Sequence, residues 1–178
     1  MNTKMLSIAA LSSAIFLSPV QAAPFGGEKD VVYSRALWQV LTQTGYAGEN
    51  AIHGTPYTGQ APHGAILDTL DGVVTVEGKI GAVIVKRNYG GEGVSKEAVA
   101  NDPDKYLKAV TVMFKRKGYD PETGDWFWVK YKPDGSLHTN PKGMMLAGKV
   151  VKGMPKGCIA CHTAASGGDF VFNNDRIK

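Results

Sequence analysis

Between residues 28 and 44 the apolar positions recur at helical spacing: Val32, Ala36 and Val40 form one line, Leu37 and Leu41 a second. This predicts a helix over 28–44, stopped by Gly45. Residues 50–64 carry Gly54, Pro56, Gly59, Pro62 and Gly64, which is the chemistry of an irregular loop. Residues 65–70 read as a short strand or turn. Two β-branched runs follow, Val73-Val74-Thr75-Val76 and Ala82-Val83-Ile84-Val85-Lys86. They predict two strands joined through Lys79-Ile80-Gly81, the second closed by Asn88-Tyr89-Gly90-Gly91. Ser95 has the chemistry of an N-cap for a short helix through Val99, interrupted by Asn101-Asp102-Pro103. Residues 108–116 (KAVTVMFKR) and 126–132 (WFWVKYK) predict two more strands, and 118–124 (GYDPETG) the turn between them. Strand, turn, strand at this spacing is an antiparallel hairpin. The pattern predicts an α+β fold: an antiparallel sheet, one long helix and a loop-rich C-terminal part.

Composition narrows the class without changing that picture. The chain has 178 residues, of which 43% are hydrophobic and 20% charged, an ordinary globular balance. The formal net charge of +4 admits an acidic partner but gives no argument for nucleic acid. There is no repeat and no linker that would divide the chain. Near the start, Lys4 is the only charged residue before Glu28, and residues 5–17 (MLSIAALSSAIFL) are apolar but short. Ser18-Pro19 breaks this run, and Val20-Gln21-Ala22 supplies small residues for cleavage. Residues 1–22 therefore read as a bacterial-type secretory signal peptide rather than a membrane span. Residues 23–178 are expected to form one periplasmic domain.

The strongest chemical signal is Cys158-Ile159-Ala160-Cys161-His162. In a C-x-x-C-H motif two thiols add to the vinyl groups of a haem, and the adjacent imidazole ligates its iron. Export agrees, because haem of this type is attached outside the cytoplasm. These are the only two cysteines of the chain. A redox dithiol would favour a βαβ context that is missing, and a zinc site would want two further ligands at short spacing. The expected cofactor is one covalently attached haem c with iron, Cys158 and Cys161 bonded to it and His162 proximal. No Met or His follows His162. A sixth ligand would have to come from Met113, Met144, Met145, Met154, His53, His63 or His138 upstream, or the iron keeps an open face. An open face is the expectation.

Five stretches carry a more specific likeness, in this order: Pro62-His63-Gly64; residues 81–89 (GAVIVKRNY); residues 113–120 (MFKRKGYD); residues 124–128 (GDWFW); and residues 157–162 (GCIACH). With them the chain resembles the cytochrome P460 family, which includes the cytochrome c′-β proteins. The resemblance implies a curved antiparallel sheet with packed helices, usually in a homodimer. It implies that Lys86 matches a lysine bonded covalently to a haem meso carbon, with Lys79 as a second candidate. Alternation places Lys86 on one face with Ala82 and Ile84, opposite Val83 and Val85.

The resemblance further implies hydroxylamine oxidation towards NO or N2O, with electrons passing to a periplasmic electron-transfer protein. For the c′-β members it implies nitric oxide binding without catalysis. A simple electron-transfer cytochrome is a third class. The stretch compared with the family's distal carboxylate, residues 110–114, holds no Asp or Glu, and residues 63–68 hold no Arg. Met113, Phe114, Phe127, Trp128 and His63 are the distal-pocket candidates. Glu97, Asp102 and Asp125 are the possible bases from loops. Lys149, Lys152 and Lys156 form a basic cluster before the haem motif, suited to propionates, an acidic partner or a solvated face.

Overall fold

The computed structural model describes residues 24–172, so the expected leader, residues 1–22, lies outside the described residues. The domain opens with helix α1 (Glu28–Gln43). Its buried side is Tyr33, Leu37 and Leu41, spaced by four, with Ser34 beside them. Val32, expected on the inner face, is 50% exposed, and Ala36 and Val40 sit at the margin of the core. The line that packs is Tyr33, Leu37 and Leu41, which contains the second expected line and lies one residue round from the first.

Six strands follow: β1 (Tyr57–Thr58), β2 (Ile66–Val76), β3 (Lys79–Tyr89), β4 (Leu107–Lys115), β5 (Trp126–Tyr131) and β6 (Ala147–Gly148). They form one antiparallel sheet in chain order, so every connection joins neighbours. This is the α+β architecture that the pattern predicts. The sheet is larger than the pattern suggests, because β2 takes in residues 66–72 and β3 runs to Tyr89. The expected hairpin is present, with Phe114 opposite Phe127 and Met113 opposite Trp128.

Two short helices, α2 (Lys96–Asn101) and α3 (Pro103–Tyr106), cap one end of the sheet. Ser95 caps α2 as expected, its Oγ accepting from the Ala98 N–H at 3.1 Å. Asp102 caps α3 by accepting from the Lys105 N–H at 3.4 Å. A register shift at Asn88/Tyr89 accommodates one extra residue in β4, since Asn88 pairs with Ala109 and Tyr89 with Leu107. Helix α4 (Cys158–His162) carries the haem motif after a run of loops.

The two faces of the sheet differ. On one, α1 packs against Val83, Val85, Val110, Val112, Phe114, Phe127, Val129 and Tyr131. The Tyr131 hydroxyl donates to the Ser34 carbonyl at 2.6 Å and ties helix to sheet. A buried ion pair at the edge of this face joins Arg87 to Asp68, Nε lying 2.9 Å from Oδ1 and 3.2 Å from Oδ2. The Tyr89 hydroxyl donates to the same carboxylate at 2.8 Å. The Arg87 guanidinium also donates to the carbonyls of Tyr46 and Ile52, fastening the segment after α1. The opposite face bears a second apolar cluster with Phe25, Met113, Trp126, Trp128, Val150 and Ile159. That face floors the haem-motif cavity.

Candidate functional site

Strand parity selects the cavity floor. Successive side chains alternate between faces, so Ile84 and Lys86 on β3 share a face with Thr111 and Met113 on β4 and with Trp128 and Lys130 on β5. These six residues line a cavity of about 640 Å³, together with His63, Val150, Val151, Lys156, Cys158, Cys161, His162 and Phe172. A more polar hollow of about 900 Å³ adjoins it and shares His63, Lys86, Cys161 and His162.

The structure thus gathers most of the sequence-predicted site. Lys86, Cys158, Cys161, His162, His63, Met113 and Trp128 meet at one cavity. Phe114 and Phe127 do not: both are fully buried against α1 on the other side of the sheet. The correction is one of parity, since each lies next in sequence to a true lining residue and so points the opposite way. Glu97, Asp102 and Asp125 line no part of the cavity. Asp125 accepts from the N–H groups of Gly118 and Asp120 and shapes the β4–β5 turn. Lys79 lies at the first position of β3, exposed and away from the cavity.

Of the basic cluster, only Lys156 lines the cavity. Lys152 Nζ lies 2.5 Å and Lys149 Nζ 3.3 Å from the Asp120 carboxylate, and Lys152 also reaches Glu122 at 2.8 Å. Burial pushes the Asp120 carboxyl up, but hydrogen bonds from Lys152, Thr123 and Lys149 outweigh it and hold its pKa below the ordinary value. This cluster fastens the loop before the haem motif to the β4–β5 connection. Gly157 helps to bring that loop in, because its φ of +152° and a Cβ that would meet Val151 at 2.4 Å leave room only for glycine.

His162 is oriented by a contact with no sequence signature. Its Nδ1 lies 2.6 Å from the Phe170 carbonyl oxygen. A carbonyl only accepts, so Nδ1 carries the proton and Nε2 keeps the lone pair that a metal requires. The ring packs against Trp128 at 4.9 Å and Phe172 at 5.2 Å, both near perpendicular.

Asn88 orients His63 in a similar way. Its Nδ2 donates to the carbonyls of Lys86 at 2.9 Å and Ala109 at 3.2 Å. That fixes Oδ1 as the atom 3.0 Å from His63 Nδ1, so His63 donates through Nδ1. The loop reaches β3 closely at Gly64, where a Cβ would lie 2.4 Å from the Tyr89 oxygen. Burial and the nearby Lys86 charge hold the His63 pKa down at about 4, against the bond to Asn88, so the ring is neutral at neutral pH.

A c-type haem fits these residues. Both thiols are free of a disulfide, Cys158 half-buried and Cys161 exposed. Burial raises the Cys158 thiol above its ordinary pKa, which keeps it protonated. Lys86, Lys130 and Lys156 line an otherwise mostly apolar space, as a planar apolar group with carboxylate arms requires. In the wall the buried Trp128 indole N–H has no hydrogen-bond partner among the described residues. Such an orphan donor suits a bound group with acceptors.

A family model of cytochrome P460 matches residues 74–173, more than half of the chain. The chain belongs to the cytochrome P460 family. It is a c-type haem protein of that family, with iron as its metal. No curated protein and no solved structure matches the chain significantly. Among the described residues no helix is long and apolar enough to cross a membrane.

Proposed function

We propose that this protein is exported to the periplasm and binds small nitrogen species at a single haem c, oxidising hydroxylamine towards NO or N2O. The observation that carries the reading is the presence of Lys86 in one cavity with Cys158, Cys161 and His162. Cys158 and Cys161 hold the haem through thioethers, and His162 gives its Nε2 to the iron. Lys86 stands on the floor between its strand partners Thr69 and Thr111, where it would hold the haem edge through its Nζ. The haem iron supplies the ligand-binding and electron-accepting chemistry when present. Lys130 and Lys156 meet its carboxylates, and Trp128 offers its N–H. Electrons leave to a periplasmic carrier protein, and the working form is a homodimer.

A second reading is a nitric oxide binder without catalysis. It is favoured by one observation: among the described residues the lining holds no Asp, Glu or Arg, and so none of these supplies a carboxylate to take protons from a substrate.

The deciding experiment uses protein matured with haem. Peptide mass spectrometry should find the Lys86 peptide joined to the haem peptide, and hydroxylamine should reduce an added electron acceptor. A free Lys86 peptide with no hydroxylamine turnover and intact nitric oxide binding would select the second reading.

A further inference from the structure

We propose that Trp126 and Lys115 tune the reduction potential of the haem iron without touching the haem, by pinning a short strap, residues 169–172, whose backbone holds His162. This rests on the haem reading above.

The Phe170 carbonyl that takes the His162 Nδ1 proton belongs to no helix or strand. After α4, Gly167 and Gly168, at φ of +93° and +70°, turn the chain, and the strap returns to the motif. There Phe172 packs on the His162 ring and Phe170 faces Trp128. Phe170 itself sits at φ +61°. A bulky residue keeps that left-handed conformation only where its surroundings impose it.

The imposing contacts come from β4 and β5. Trp126 Nε1 donates to the Asp169 carbonyl at 2.9 Å, one residue before the carbonyl that holds His162. Lys115 Nζ lies 2.6 Å from the Asp169 carboxylate and 4.6 Å from the centre of the Trp126 ring. Lys115 and Trp126 oppose each other in the sheet, so both anchors start from one place. Trp126 is 2% exposed, whereas Lys115 and Asp169 reach the surface. Neither Trp126 nor Lys115 lines the cavity. They are positioning residues, and their effect passes through Asp169 and the Phe170 carbonyl to His162.

The chemistry lies in that last bond. An imidazole that donates firmly from Nδ1 is more basic at Nε2. A more basic axial ligand favours ferric over ferrous iron and so lowers the potential. A strap released from its anchors carries the carbonyl away from Nδ1 and reverses both effects.

The test is resonance Raman spectroscopy of the reduced, haem-loaded protein together with its redox titration. Trp126→Phe keeps the packing ring and removes the N–H donor. Its iron–histidine stretch should fall in frequency and its midpoint potential should rise. Lys115→Met should move both in the same directions by less. The double variant should shift by less than the two summed, because both anchors act on one strap. Lys117→Met removes the same charge two positions away and should leave the stretch unchanged. An unchanged stretch in either Trp126→Phe or Lys115→Met overturns the proposal, and so does a potential shift without one, which would be an effect of charge or packing alone. Should Trp126→Phe fail to accumulate, Lys115→Met decides, since both members of that ion pair lie at the surface. A failure of the haem reading is separate: the Cys158–His162 peptide would carry no haem mass. Hydroxylamine turnover enters neither readout.

Discussion

Asn88 shows how much one side chain organises. It is 4% exposed and makes contacts in two directions. Its amide donates within the sheet to the carbonyls of Lys86 and Ala109 and to the Thr111 hydroxyl, and its oxygen receives His63 and the Gly64 N–H. Asn88→Leu strands these groups, and each buried unsatisfied partner costs about 1–3 kcal/mol. The variant should lower the urea midpoint and, in the haem-loaded protein, change the ferric spectrum through His63. The sequence disclosed Cys158, Cys161 and His162 because covalent haem attachment needs fixed types at fixed spacing. It did not disclose Asn88 or the Phe170 carbonyl. Asn88 acts across strands and a loop, and a backbone oxygen is the same atom in every residue.

At the scale of elements, β5 explains a misreading. Five of its six residues are buried, so neither face looks polar and the period of two is hidden. The parity becomes visible only through pairing, since Lys130 opposes Thr111, which opposes Lys86. Phe127→Ala should therefore cost about 3–5 kcal/mol in chemical denaturation, the usual loss for a buried aromatic. It should leave the haem spectrum unchanged, whereas Trp128→Ala should shift it. The loop before α4 makes a different prediction through Asp120. A carboxyl with a depressed folded pKa adds stability that is present above its unfolded value and is lost as pH falls through the folded one. Asp120→Asn should be less stable than wild type at neutral pH. The gap should close as pH drops below about 4, followed by thermal unfolding across the range.

For the whole molecule, the architecture was legible and its extent was not. The helix, the hairpin and the β-branched runs were visible in the pattern. Residues 65–70 read only as a short strand or turn, and the continuation into β2 stayed hidden, because Asp68, Asp71 and Gly72 are poor strand formers held there by partners on β3. Asp68 is kept by Arg87, whose side chain is itself 1% exposed. Arg87→Met leaves that carboxylate buried without its cation, a change that typically costs about 3–5 kcal/mol. Asp68→Asn in the same chain should recover part of the loss, read as a double-mutant cycle in urea.

The two-faced sheet also has a consequence for how such a protein changes over time. On β3, β4 and β5, neighbouring residues answer to different demands: one packs under α1, the next meets the ligand. Selection on chemistry can therefore work on alternate letters of three strands while the letters between them hold the fold. A saturation scan of these strands should separate into two interleaved sets, one that mainly reduces yield and one that mainly alters the spectrum.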